Sequence, residues 1–389
     1  MKEKYSTKVE SNSEILKSTE SNPDRLLSLD ALRGFDMIWI LGAERIFVSL
    51  FVLTGWSFFQ DLAVQFEHSQ WHGFTFYDLI FPLFIFISGV TLGLSRRQIA
   101  SFAQSQRQAL YLKATKRLFI LCILGILYNH GWGQGIPANL QEIRYASVLM
   151  RIGVAWFFTA MIVWHFNLRI QFIFGFTILL SYWLLQSFVP TPAGGIGYFN
   201  LSDSWNGWVD QNFLPGATYQ HQSADPEGIL SHFPAIVNGI AGAIVGQTVR
   251  LIKAKKKQIG IISIASLLCI VTGFFWGLVY PVNKFLWTGS FSLVSIGYSG
   301  LLFVLFYTMF DILHWKKLGI FFAIIGCNAV LLYLMSSLFD WQYLVNSIMG
   351  GIYSMFSEHA RNLLSIATLV LIQWLFALFL FSRRWFFKI

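Results

Sequence analysis

Apolar stretches close to 20 residues long recur along this chain from residue 32 to residue 382. A bilayer's hydrocarbon core is about 30 Å thick, and an α-helix needs roughly 20 apolar residues to cross it. Lipid offers the backbone no hydrogen-bond partners, so a chain built this way satisfies its own amides within helices. Ten spans are expected, over residues 32–54, 74–94, 117–132, 145–164, 170–189, 229–249, 258–280, 288–312, 318–339 and 363–382. The composition agrees: 55% of the 389 residues are hydrophobic and only 12% are charged. Soluble domains carry about 25% charged residues. The expected fold class is all-α, a polytopic integral membrane protein of about ten transmembrane helices.

The net charge of +9 would suggest nucleic acid in a soluble protein. Here the basic residues sit between spans, so they speak of topology and no nucleic-acid partner is expected. With the N-terminus inside, 23 Lys and Arg fall on the cytoplasmic side, and Arg144, Lys284 and Arg361 fall outside. This bias puts both termini in the cytoplasm of a multi-pass protein of the cell's inner (plasma) membrane. Residues 1–27 are polar and are expected to form a disordered cytoplasmic tail without a cleavable leader. Residues 28–389 then form one membrane domain. The basic run at 250–257 suits either anchoring at the inner face or attraction of a cytosolic ligand's phosphates. Cys122, Cys269 and Cys327 lie in spans without metal-ligand spacing, so no metal is expected.

Ionisable groups in a membrane are expensive and mark function unless they are paired. Four places stand out. In the first span Asp30 and Arg33 are three apart and can pair. Glu44, about 21 Å further along an ideal helix, would extend a polar stripe on the same face. In the second, His68, Trp71 and His72 lead into a span that carries Asp78 in its first turn. A histidine exchanges protons near neutral pH, and a carboxylate can orient it. In the third, Arg144 and Arg151 lie seven apart; Arg151 is in the membrane and needs an anionic partner, either a carboxylate (Asp36, Glu44 or Asp78) or a ligand. In the fourth, Asp225 and Glu227 precede a span, where they cap its N-terminus, bind a cationic amine, or do both. The segment 190–228 that they close has no Lys or Arg but holds acids and aromatic side chains. That mixture suits an amino sugar or an interfacial aromatic belt.

Six blocks in these regions resemble, in order, those of the heparan-α-glucosaminide N-acetyltransferase family, and more closely its bacterial branch. They are SLDALRGFDMIWILG at residue 28, HSQWHGFTFYDLIFPLFIFISGV at 68, RYASVLMRIGVAW at 144, DPEGIL at 225, NKFLWTGSF at 283 and CNAVLLYL at 327. The resemblance covers residues 25–382. It departs at ILGAERIF, where Glu44 and Arg45 occupy a region that holds an asparagine in the animal enzymes.

The resemblance implies a transmembrane acyltransferase that takes acetyl-CoA as co-substrate from the cytosol and acetylates an amino sugar across the bilayer. It puts the family's active-site histidine on His68, as base or acetyl carrier. The residues themselves suggest Asp78 and Glu44 as further catalytic groups. Trp71, His72, Arg151, Asp225 and Glu227 are the expected substrate-binding residues. The expected partners are acetyl-CoA, an amino-sugar or glycan acceptor and the lipid bilayer, with a homodimer as a candidate assembly. Two other functions fit the same polar groups: O-acylation of cell-surface glycans, and secondary transport of a sugar or organic cation. The absence of an inverted repeat counts against transport.

Overall fold

In a computed structural model of the chain, eight of the ten apolar stretches fall on single helices and two, 32–54 and 318–339, fall on bent helix pairs. The structure describes residues 26–95, 99, 102–133, 139–192, 194–197 and 199–387. Most of the expected tail, and Arg96, Arg97 and Tyr198, lie outside the described residues.

In chain order the α-helices are α1 (Leu27–Ile38), α2 (Arg45–Thr54), α3 (Ser57–Gln65), α4 (Phe76–Leu94), α5 (Gln104–His130), α6 (Val148–His165), α7 (Leu168–Phe188) and α8 (Trp205–Phe213). Then follow α9 (His232–Leu251), α10 (Lys255–Gly277), α11 (Gly289–Phe306), α12 (Lys316–Gly326), α13 (Ala329–Leu338), α14 (Trp341–Tyr353) and α15 (Glu358–Ser382). Six helical segments are long and apolar enough to cross a membrane, and two bent pairs raise this to eight if each pair is one span. The bent pairs are α1 with α2, at 54°, and α12 with α13, at 50°. The short helices α3, α8 and α14 lie in segments expected to be loops.

The first helix does not carry a continuous polar stripe. After α1 the chain passes through a π-turn, Trp39–Ala43, in which Gly42 has φ 117°. Residues other than glycine rarely adopt that backbone conformation. The break resets the helical register, so Asp30 and Glu44 do not share a face along one straight helix. Asp30 and Arg33 do pair, at 3.2 Å, and Arg33 also donates to Thr91 Oγ1 on α4 at 2.9 Å.

Helices α4 and α9 meet in a long, tight seam. A Cβ added at Gly89 would lie 2.0 Å from the carbonyl oxygen of Gly239, and one at Gly242 would lie 2.0 Å from that of Phe86. Gly93 and Gly246 continue the row. Small residues at helical spacing let two backbones touch, the usual way of packing helices where lipid removes the hydrophobic drive. Helices α1 and α12 are joined the same way through Gly34 and Gly326. Between these pairs lies a core of Leu32, Leu83, Phe86, Phe303 and Phe306.

Candidate functional site

The site begins with a helix cap. Thr75 and Asp78 form a capping box at the start of α4, satisfying amides that the first turn leaves open. Oδ2 of Asp78 accepts from Thr75 N at 3.2 Å and from Ser69 N at 3.3 Å. That leaves Oδ1 for another partner, and it lies 2.9 Å from Nδ1 of His68. One buried carboxylate therefore holds both the helix end and the imidazole. Asp78 is fully buried, whereas the His68 side chain is 53% exposed. With Nδ1–H donated to Asp78, Nε2 is the ring's basic atom.

Lys284 joins them, a residue expected only to mark topology. Its Nζ lies 3.0 Å from Nδ1 and 3.2 Å from Nε2 of His68, and 3.5 Å from Oδ1 of Asp78. Burial lowers its pKa, against the opposing pull of the Asp78 and Glu227 charges. The segment from residue 281 to 288 organises the whole corner. Val282 O accepts from Gly73 N at 2.8 Å, and Asn283 Nδ2 donates to Trp71 O at 2.9 Å. Phe285 packs on Trp71, and Trp287 lies under the Arg151 guanidinium at 4.7 Å. One signal could have exposed Lys284: it is the only Lys or Arg between 251 and 316 beyond the 253–257 cluster, and it sits inside NKFLWTGSF.

The remaining expected residues are placed as follows. Trp71 spends its indole N–H on Phe199 O, 2.8 Å away. His72 sits beside Asn283, 3.4 Å from its amide, and partial burial lowers its pKa. Glu44 is next to Arg45 at 3.5 Å, with Oε2 buried and without a hydrogen bond among the described residues. No hydrogen bond or ion pair joins Glu44 to His68 among the described residues.

Asp225 and Glu227 do not cap a helix. α9 starts at His232 after Ser231, five residues beyond Glu227. Both carboxylates instead bind Arg144, whose Nε and Nη2 lie 2.8 and 2.6 Å from the two oxygens of Asp225 and whose Nη2 lies 2.5 Å from Glu227. Burial lowers the pKa of that guanidinium, but the bonds and charges of the two acids outweigh it and raise it overall. The cation missing from 190–228 thus arrives from 81 residues upstream. Arg144 lies in an extended segment before α6, bridged to Gly216, so it does not share a helix face with Arg151. Arg151 is buried and takes neutral partners, Pro226 O at 2.5 Å and the Ser231 hydroxyl. None of Asp36, Glu44 and Asp78 bonds to it. Asp210 completes the loop by accepting from Asp225 N and Ile229 N, and burial raises its pKa to about 6. Among the described residues no three His, Cys, Asp or Glu side chains gather as metal ligands.

Fold and site together define a multi-pass helical membrane protein with a histidine–carboxylate–lysine cluster at the mouth of a span. No protein-family model matches the chain. It is 26% identical over 426 residues to the heparan-alpha-glucosaminide N-acetyltransferase of Homo sapiens, covering 94% of this chain and 60% of that protein. Against the enzyme of that name from Mus musculus it is 25% identical over 432 residues, covering 95% and 61%. The chain is thus similar to these two enzymes along nearly its whole length, and it spans about three fifths of theirs.

Proposed function

We propose that this chain is a transmembrane N-acetyltransferase that moves the acetyl group of cytosolic acetyl-CoA to the amine of a glucosamine-type sugar on the opposite face. In this reading residues 28–389 are the catalytic membrane domain of an inner (plasma) membrane protein, the tail 1–27 precedes it, and both ends are cytoplasmic. The observation that carries the proposal is the half-exposed His68, held by a buried Asp78 at 2.9 Å.

Acetyl-CoA is too large and too charged to cross lipid, so a transferase must bring the thioester and the acceptor together inside the protein. The acceptor arrives as an ammonium, which has no lone pair for attack. Nε2 of His68 takes its proton, the amine nitrogen bonds to the acetyl carbon, the carbon–sulfur bond breaks, and the departing thiolate takes a proton. In the two-step form Nε2 itself attacks the thioester, and the acetyl-imidazole passes the group to the amine. Asp78 keeps the ring in the orientation that frees Nε2, and general base catalysis of this kind contributes roughly 10²–10⁴-fold. Asp225 and Glu227 are engaged by Arg144, so they shape the outer wall in this scheme and leave the acceptor's recognition to other groups.

The test is purified protein in lipid nanodiscs, given acetyl-CoA with glucosamine or with N-acetylglucosamine. Acetylation of glucosamine alone is the expected result. Transfer to N-acetylglucosamine would mean hydroxyl acylation instead. Accumulation of sugar in vesicles without acetyl-CoA would mean transport, and full turnover by His68→Ala would remove the assignment of that residue.

A further inference from the structure

A groove of about 630 Å³ runs down the flank of the molecule between α6, α7 and α9. On α6 it follows Met150, Val154, Phe158, Ile162 and His165, one stripe at helical spacing. From Met150 to His165 a helix rises about 22 Å. The walls are hydrocarbon: no Asp, Glu, Lys or Arg is among the described lining residues. Two histidines stand at the ends, and neither makes the groove polar. His165 donates Nδ1–H to Met161 O at 2.6 Å, and its Nε2 accepts from the Tyr111 hydroxyl at 2.7 Å. His232 donates Nδ1–H to Gly228 O at 2.7 Å, and its Nε2 is buried. Phe158 of α6 and Phe174 of α7 are exposed along the rim. Both helices are long and apolar enough to cross a membrane, so the groove opens into lipid. Water finds no partners in such a space, whereas a flexible hydrocarbon chain fits it.

The place where the groove ends narrows the choice of occupant. Ile229, His232 and Phe233 close one end, directly after the loop of Asp225 and Glu227. Pro226 O and the Ser231 hydroxyl of that loop hold Arg151, whose guanidinium stacks on Trp287. Trp287 N donates to Lys284 O at 3.1 Å, and the Lys284 ammonium touches His68. Arg151 and one turn of backbone therefore separate this end of the groove from the histidine cluster. A chain lying in the groove brings whatever it carries out beside the site. Asp225 and Glu227 are bound to Arg144, so an acceptor draws its affinity from elsewhere. Burial of methylene groups supplies affinity in proportion to the apolar area covered.

We propose that the groove seats the hydrocarbon chain of a lipid-borne acceptor, an amino sugar joined through its anomeric oxygen to a long alkyl or isoprenoid chain. The role given to the sugar rests on the transferase reading; the seat for the chain does not. The chain anchors the acceptor in the bilayer and holds its sugar at the end of the groove, with the amine free to meet His68.

Acetyl transfer to decyl β-glucosaminide and to methyl β-glucosaminide is measured on the full chain in phosphatidylcholine nanodiscs. The proteins compared are the parent, Val154→Trp, which fills the groove, and Phe158→Ala, which removes part of one wall. Binding of the two glycosides in radiolabelled form is measured beside it, with empty nanodiscs as the blank. Amphiphiles concentrate in any bilayer, so the comparison that counts is parent against variant. Phe158 is exposed, so its variant keeps the test decisive if Val154→Trp does not fold. Val154→Trp is expected to raise the KM for the decyl glycoside by about tenfold and Phe158→Ala by roughly threefold, with kcat and all methyl-glycoside kinetics unchanged. If neither glycoside is acetylated but decyl binding falls in both variants, the seat for the chain stands and the transferase reading fails. If the methyl glycoside is acetylated and the decyl KM is equal in all three proteins, the transferase reading stands and the proposal is overturned. Decyl binding that is equal in all three, or no greater than in empty nanodiscs, also overturns it, since the groove then holds bulk lipid only.

Discussion

The ammonium of Lys284 rests 3.0 Å from Nδ1 of His68, although 216 residues separate the two in sequence. Both ring nitrogens are within its reach, and so is the Asp78 carboxylate. It acts through His68 and Asp78 and is therefore a positioning residue. Lys284→Met is expected to lower kcat by about tenfold, the effect of losing one charge-assisted hydrogen bond, with little change in the acceptor's KM. Lys284→Arg should recover part of that loss by restoring the positive charge. A merely structural role would lower the amount of folded protein and leave kcat alone.

His68→Ala is expected to reduce acetyl transfer by roughly 10²–10⁴-fold. Asp78→Asn should cost less in kcat, because an amide oxygen can still accept from Nδ1. It should cost more in stability, because the same carboxylate also closes the capping box. Thermal melting in detergent, read beside kcat, separates the two roles, and equal kcat for parent and Asp78→Asn would contradict the orienting role.

The α4–α9 seam predicts a sharp positional pattern for one chemical change. Gly89→Ala and Gly242→Ala drive a methyl into backbone 2.0 Å away and should destabilise by about 1–3 kcal/mol. Gly260→Ala meets open space on α10, and there the usual helix preference for alanine should make it neutral or slightly stabilising. Melting temperatures of the three variants check this directly.

Arg144→Ala leaves Asp225 and Glu227 without their cation. Removing one partner of a largely buried pair costs about 3–5 kcal/mol, and the partial exposure of Arg144 places this one at the lower end. The loop 217–231 should become protease-sensitive in Arg144→Ala and stay resistant in the parent, as limited digestion of the folded protein would show.

Asp210 adds a pH dependence. Its pKa rises on folding to about 6, from an unfolded value near 3.9. A carboxyl raised in this way contributes stability that is complete below about pH 4 and is lost as pH climbs through about 6. The melting temperature should therefore carry a component that falls between these values, and Asp210→Asn should flatten it. An identical pH profile for the variant would exclude Asp210 as its source.

The positions of the apolar helices were legible because length and hydropathy decide them locally. The Asp30–Arg33 pair and the link between His68 and Asp78 were legible for the same reason, since only 3 and 10 residues separate the partners. Contacts between distant segments were not. Nothing near Asp225 indicates that its cation is Arg144, and nothing near His68 indicates Lys284. The turn at Gly42 also escaped notice, because a glycine inside an apolar run leaves composition unchanged while it redirects the chain. The short helix α14 was hidden for another reason: 13 residues are too few to span a bilayer, but Trp341, Val345 and Tyr353 still bury a face against Leu369 of α15.

The glycine seams have a mechanical consequence. Where backbone meets backbone, two helices cannot slide without collision, so α4 with α9 and α1 with α12 each behave as a welded plank. Arg33 rides on one plank and Thr91 on the other, and the hydrogen bond between them crosses the joint. Any rocking of the molecule is thereby directed to that joint, and a molecule lodged beside Arg33 would act there as a wedge.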